Sequence, residues 1–212
     1  SPQGLPVGYE IFPGSTFEGH TLRLALDKLH SKYDIDRLIF VADAAMLNED
    51  NIKLLEERKQ SFIVGARIKN MANDITAKVL DKTQYKQLYA PEEEQEPVTC
   101  LDISIKEKEL RLVVTHSPRR AENDKYDREK AIAQLTKQLT KSNDPKALIN
   151  NHGYKKFITI QGKAEITLNE EKIKQAAMWD GLHGIITNIA KTEAKELLAH
   201  YRGLWQVEET LR

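Results

Sequence analysis

Arg37-Leu38-Ile39-Phe40-Val41-Ala42, ending on Asp43, and Ser61-Phe62-Ile63-Val64-Gly65-Ala66-Arg67-Ile68 are the two stretches that decide the fold. Each is a short apolar run, the pattern of a strand covered on both faces. Between them Asn48–Lys59 reads as a helix. Asn48 is a capping residue, and Glu49 and Asp50 put two acids into the first turn, where they complement the helix dipole. Upstream, Leu22, Leu26 and Leu29, with Leu24 and Ala25 beside them, predict a helix over Thr21–Tyr33. Val7, Tyr9 and Ile11 alternate within Gly4–Pro13, as in a strand leaving a Gly/Pro turn. Strand, helix, strand, helix, strand in succession predicts a parallel α/β layer with right-handed crossovers.

The texture changes after Lys69. Lys69–Gln95 is polar and runs into the acidic loop Pro91–Pro97. Val98–Ile105 and Glu109–His116 alternate with period two around Lys106-Glu107-Lys108, a hairpin pattern. Arg119–Lys141 is a charged helix with a thin apolar stripe of Ile132, Leu135 and Leu139. Tyr154–Ile160 and Ala164–Leu168 form a second hairpin pattern, followed by a short helix over Glu170–Ala177. Leu182–Ile189 is strand-like, and Thr192 opens a helix that runs to the end. The expected organisation is an α/β core over 1–69, an α+β, β-rich insertion over 70–183, and a return to the core over 184–212.

Composition sets outer bounds. The chain has 212 residues with 40% hydrophobic content, enough for a packed core and too much for a disordered chain. No apolar run approaches the roughly 18–20 residues that span a bilayer, so no membrane partner is expected. One cysteine, Cys100, excludes an internal disulfide and any multi-cysteine zinc site, and points to a reducing, cytoplasmic compartment. Net charge is zero, which argues against a simple polybasic nucleic-acid binder. The charge is unevenly spread. Ser1–His116 has 15 basic and 19 acidic residues (−4), Ser117–Lys163 has 11 and 5 (+6), and Ala164–Arg212 has 6 and 8 (−2). A polyanion is expected at the middle of the chain. The sequence begins Ser1-Pro2-Gln3 and stops at Arg212 inside a helical pattern, so a fragment of a larger protein is expected.

Asp43 is the first residue with chemical promise. A carboxylate at the carboxyl end of a parallel strand lies where α/β folds place ligand sites; the alternative is a turn or capping aspartate. In the last helix, Leu197, Tyr201, Leu204, Glu208 and Leu211 fall on one stripe. A carboxylate on an apolar stripe must pair with a cation, bind a metal or sit at the stripe's edge. Two such acids suit Mg²⁺, a hard cation that takes oxygen ligands and keeps substrate phosphates in its shell. The six histidines share no metal-ligand spacing, and neither a Walker loop nor a GxSxG elbow is present. Arg119, Arg120 and Arg128 lie in a mixed-sign stretch, read either as a solvated helix or as a phosphate-contacting face. Lys155, Lys156 and Lys163 flank a hairpin with few acids nearby and are the better phosphate candidates.

Four stretches together resemble the DDE transposases of bacterial insertion sequences: Gly4-Leu5-Pro6-Val7-Gly8-Tyr9 on to Thr21; Val41-Ala42-Asp43-Ala44-Ala45-Met46; Arg119–Lys130; and Asp180-Gly181 through Thr187-Asn188 to Tyr201-Arg202-Gly203-Leu204-Trp205-Gln206-Val207-Glu208-Glu209. The resemblance implies an incomplete RNase H-like core interrupted by the insertion, with Asp43 as the second catalytic aspartate and Glu208 as the glutamate. The first aspartate is expected on a strand upstream of Gly4. The resemblance also implies Mg²⁺ or Mn²⁺ as cofactor, DNA element ends and target DNA as partners, a homodimer in the full-length synaptic complex, and a nucleoid-associated location in a bacterial cytoplasm. Tyr201, Arg202 and Trp205 are expected to line DNA near the metals, and Arg119, Arg120, Arg128, Lys155 and Lys156 to meet phosphates. Leu204 occupies the position of the motif's arginine, and Arg202 sits two residues earlier. The rival expectations are a non-catalytic, transposase-derived α/β module and a nuclease of the same fold. A fragment without the first aspartate is expected to bind metal weakly and to lack strand transfer.

Overall fold

The computed structural model describes residues 9–13, 15–16, 21–33, 38–46, 48–88, 97–105, 109–141, 156–161, 165–204, 206 and 209. They form a mixed α/β structure with six α-helices, a six-stranded mixed sheet and a separate two-stranded sheet.

The first element is α1 (Thr21–Tyr33), whose Leu22 and Leu26, one turn apart, are buried. Strand β1 (Ile39–Ala42) pairs in parallel with β2 (Ser61–Gly65), Ile39 opposite Ser61 and Ala42 opposite Val64. The crossover is α2 (Glu49–Glu57). Asn48 caps it, its side chain accepting from the Asn51 amide at 2.8 Å, and Leu54 and Leu55 are its buried face. The helix ends where Lys59 takes a left-handed φ of 52° and the Gln60 amide closes back on the Leu55 carbonyl.

Beyond the parallel β1–β2 pair the sheet becomes mixed at β8 (Leu182–Thr187), a strand for which the sequence predicted no direction. The sheet order is β1-β2-β8-β5-β4-β3, and β8 runs antiparallel to β2, Ile63 opposite Thr187 and Gly65 opposite Ile185. The other strands are β3 (Lys86–Gln87), β4 (Thr99–Ile105) and β5 (Leu110–His116). Tyr9 and Ile11, expected in a first strand, are outside any strand and 79% and 83% exposed. Among the described residues no strand pairs with this alternation, and residues 1–8 lie outside them. The polar stretch after Lys69 contains an unexpected helix, α3 (Asn73–Leu80), anchored by fully buried Val79.

Two compact units result: 1–88 with 100–114 and 183–212, and 89–99 with 115–182. The expected insertion boundary at residue 70 therefore differs from the observed grouping. Most of the 98–116 hairpin belongs with the first unit, since its strands hydrogen-bond into the sheet beside β8. Ile63, Cys100, Val113, Ile185, Leu197 and Leu198 form that unit's core.

In the second unit α4 (Pro118–Lys141) contributes Leu135 to a core with Phe157 and Ile158. Strands β6 (Ile158–Gln161) and β7 (Glu165–Leu168) pair antiparallel, and α5 (Glu170–Ala177) follows, capped by Asn169. Asp124 of α4 accepts the Gly181 amide at 2.9 Å. Gly181 has φ +78°, and a Cβ there would sit 2.7 Å from the Ser117 carbonyl oxygen, so the turn requires glycine.

The last helix, α6 (Ala194–Arg202), is held by one guanidinium. Arg111 of β5 grips Asp102 of β4 with Nε and Nη2, and its Nη1 donates to the carbonyls of Ile189, Ala190 and Thr192 at 2.9, 3.1 and 2.8 Å. The side chain is 15% exposed. Charged hydrogen bonds contribute about 1.5–3 kcal/mol each when buried. Discounted for partial exposure, Arg111→Leu should lower unfolding free energy in urea by about 2–3 kcal/mol. Arg111→Lys should recover less than half of that loss, because an ammonium cannot reproduce the fork.

Candidate functional site

The site is built at the carboxyl ends of β1 and β2. Asp43 directly follows β1 and is exposed; its Oδ1 accepts the Ala45 amide at 2.8 Å and so shapes the 3-10 turn Ala44–Met46. One carboxylate oxygen thus serves the turn, the local role that Asp favours. The other has no hydrogen bond among the described residues.

Next door, β2 ends on Gly65. A Cβ there would lie 2.8 Å from the Tyr201 hydroxyl oxygen and 2.9 Å from the Ala44 nitrogen. Tyr201 therefore reaches the strand ends beside the turn that Asp43 begins. It does so because α6 starts from the loop pinned by Arg111 and buries Leu197 and Leu198 against Ile63 and Ile185, with Tyr201 packed on the same cluster. Its ring lies 5.2 Å from that of His183 on β8, tilted by 45°.

Asp43 and Tyr201, 158 positions apart in sequence, are thus brought to one place. Arg202 is exposed one residue further along α6. Gly203 caps α6; Leu204, Gln206 and Glu209 beyond it are also helical, while Trp205 and Glu208 lie outside the described residues. The separation of the Asp43 and Glu208 carboxylates is therefore not a property of the described chain. Among the described residues no three His, Cys, Asp or Glu side chains form a metal-binding group. Asp43 fits a hard cation in donor type and accessibility, as one ligand of a set.

The basic candidates of the second unit divide. Arg119 and Arg120 are exposed in the first turn of α4. Lys156 is exposed, its Nζ 4.9 Å from the centroid of the Phe157 ring. Arg128 does not belong with them. It is 12% exposed and ion-paired to Asp180, so its charge serves the turn before β8. Lys155 lies outside the described residues. Sequence reading missed Gly65 and His183. A glycine ending a buried strand was the available signal, since it marks close approach of another group; His183 carried none.

The family model described as Transposase DDE domain matches residues 1–212, and the chain belongs to that family. No curated protein and no solved structure matches it.

Cys100 has no nucleophilic part in such a site. Burial pushes its thiol up to about 11, the Asp102 charge adding and Arg111 opposing. The unfolded thiol ionises first, near 9.0, so the stability linked to this group is intact below pH 9 and lost as pH rises through about 11. Burial also holds the Tyr85 phenol above its ordinary value of 10.0, which acts in the same direction. The urea midpoint should hold up to pH 9 and decline between pH 9 and 11, less steeply in Cys100→Ala. A thiol reagent at pH 7 should label Cys100 only as fast as the chain opens.

Proposed function

We propose that the chain is part of the catalytic domain of a DNA transposase, whose full-length form cuts element ends and joins them to target DNA. The observation that supports this reading is that the Tyr201 hydroxyl and the Ala44 turn both come against Gly65, the turn being the one that Asp43 begins. In this reading Asp43 and Glu208 hold Mg²⁺ or Mn²⁺ within an RNase H-like core. The bound ion supplies Lewis-acid stabilisation of charge on the attacked phosphate. Water oxygen bonds to phosphorus, and the 3′ oxygen leaves as a hydroxyl, taking up a proton. That hydroxyl then attacks a target phosphodiester, displacing another 3′ oxygen.

The chain's own contribution is binding and orientation. Arg202 and Trp205 follow Tyr201 towards the acid and would contact DNA there. Arg119, Arg120, Lys155 and Lys156 would meet backbone phosphates from the second unit, read as the insertion. A homodimer would bring two element ends together, in the bacterial cytoplasm at the nucleoid. A second reading, a non-catalytic transposase-derived module, is favoured by one observation: Asp43 Oδ1 is occupied by its own turn.

Mn²⁺ titration of the purified chain separates the two. Asp43→Asn and Glu208→Gln should each weaken Mn²⁺ binding by about ten-fold or more, as loss of a charged oxygen ligand does, with secondary structure kept. Unchanged affinity in both variants would overturn the metal site. On duplex DNA, Arg119→Ala and Arg120→Ala should each weaken binding irrespective of sequence and reduce the salt slope by about one, whereas Arg128→Ala should lower stability instead.

A further inference from the structure

We infer that the outer ridge of α4 is a docking surface for the backbone of duplex DNA, with Tyr126 as a neutral contact set among its cations; this rests on DNA being the partner proposed above. The rotation of α4 about its axis is fixed by its inner side. Asp124 accepts the Gly181 amide, Arg128 is ion-paired to Asp180, and Leu135 is buried with Phe157 and Ile158. A helix turns by about 100° per residue. Arg119, Asn123, Tyr126, Lys130, Gln134 and Lys137 therefore stand along the opposite side, and all six are exposed. None of them is an acid. The four acids of the helix lie elsewhere, Asp124 on the inner side and Glu122, Asp127 and Glu129 on the flanks. Helix geometry thus separates the signs that the linear sequence of 119–130 mixes.

The placement of charge also runs against the helix's own field. The first turn of α4 holds Arg119 and Arg120 and no acid, although the amino end of a helix dipole disfavours cations. Phosphates brought to that end are favoured by the dipole and by the guanidinium groups alike. From Arg119 to Lys137 the helix rises about 27 Å at 1.5 Å per residue. That is the length of about eight base-pair steps at 3.4 Å each, so Arg119, Lys130 and Lys137 can each reach a different phosphate. Tyr126 lies between the first two of these cations and is 64% exposed. The Lys130 ammonium stands 5.9 Å from its ring centroid, a contact that holds the lysine along the ridge. The phenol hydroxyl can donate to a phosphate oxygen and brings no charge of its own. A long anion with charge at regular intervals fits such a ridge; a compact one meets only one of its cations.

The test uses the whole chain and a fluorescent DNA duplex of arbitrary sequence, about two helical turns long, titrated at several salt concentrations, with circular dichroism to follow the fold. Lys130→Ala and Lys137→Ala should each weaken binding by about five-fold at low salt and reduce the salt slope by about one. Tyr126→Phe should weaken binding and leave the slope alone, since a neutral contact releases no counterion. Lys125→Ala is the control. That lysine stands off the ridge beside Glu129, and its loss should leave affinity and slope unchanged. The ridge is overturned by unchanged affinity in both Lys130→Ala and Lys137→Ala, or by an equal loss in Lys125→Ala. The part given to Tyr126 is overturned by unchanged affinity, or an altered slope, in Tyr126→Phe. Displacement of the duplex by an equal charge of polyglutamate or of single-stranded DNA would overturn duplex DNA as the occupant. The unaltered chain keeps the two ideas apart. If it binds no duplex at low salt, the DNA reading fails and the ridge with it. If it binds, and Arg119→Ala weakens that binding while neither lysine variant does, only the ridge fails.

Discussion

Strand β2 sets the terms for the first unit. Phe62, Ile63, Val64 and Gly65 are all buried, so their backbone groups have no water to fall back on. On one side β1 supplies partners. On the other, β8 does so and is extended by side chains: the Thr187 hydroxyl donates to the Phe62 carbonyl at 2.6 Å, Asn188 Oδ1 accepts the Phe62 amide at 3.0 Å, and Asn188 Nδ2 donates to the Gln60 carbonyl. Buried Gln60 in turn accepts the Leu38 amide at the approach to β1. Strand β8 meets this demand while running antiparallel to β2. Its last residues are then beside the start of β2, and α6 has to travel back towards the ends of β1 and β2. Tyr201 reaches Gly65 as a consequence.

Local elements were legible in the sequence where periodicity was strong and a cap was present. Helix α1 spans Thr21–Tyr33 as its leucine spacing predicts, α2 begins after Asn48, and α5 spans Glu170–Ala177. Helix α3 was hidden because it is only eight residues long and starts after Ala72, with no capping side chain to announce it. Strand pairing was not legible either. The 98–116 hairpin carries its alternation openly, but nothing in it says that it will join β8, whose sequence begins 66 residues after the hairpin ends. Parallel pairing of β1 and β2 followed from the helix between them; β8 comes from far along the chain, and no local feature of its sequence fixes its direction.

The candidate site was legible in part for the same reason. Asp43 could be found because a strand end is a local feature. Both local readings have substance: the carboxylate shapes a turn and is also exposed at the strand ends. The environment of Arg128 could not be read, since Asp180 lies 52 residues away and a charged helix looks alike whether its cations face solvent or a buried acid. Arg111 is the counterpart, an arginine of no apparent note in a strand that turns out to organise three carbonyls.

The sheet order also bears on how this chain tolerates change. Strand β5, along which the chain leaves the first unit, and β8, on which it returns, are hydrogen-bonded neighbours. The two ends of everything in between are thus tethered a strand's width apart, about 4.8 Å, whatever its length. Doubling a flexible tether adds only about 0.6 kcal/mol to the entropy of closing it. Length changes in the loops of the stretch between these strands therefore add little to the entropy of closing it onto the frame that carries Asp43, Gly65 and Tyr201.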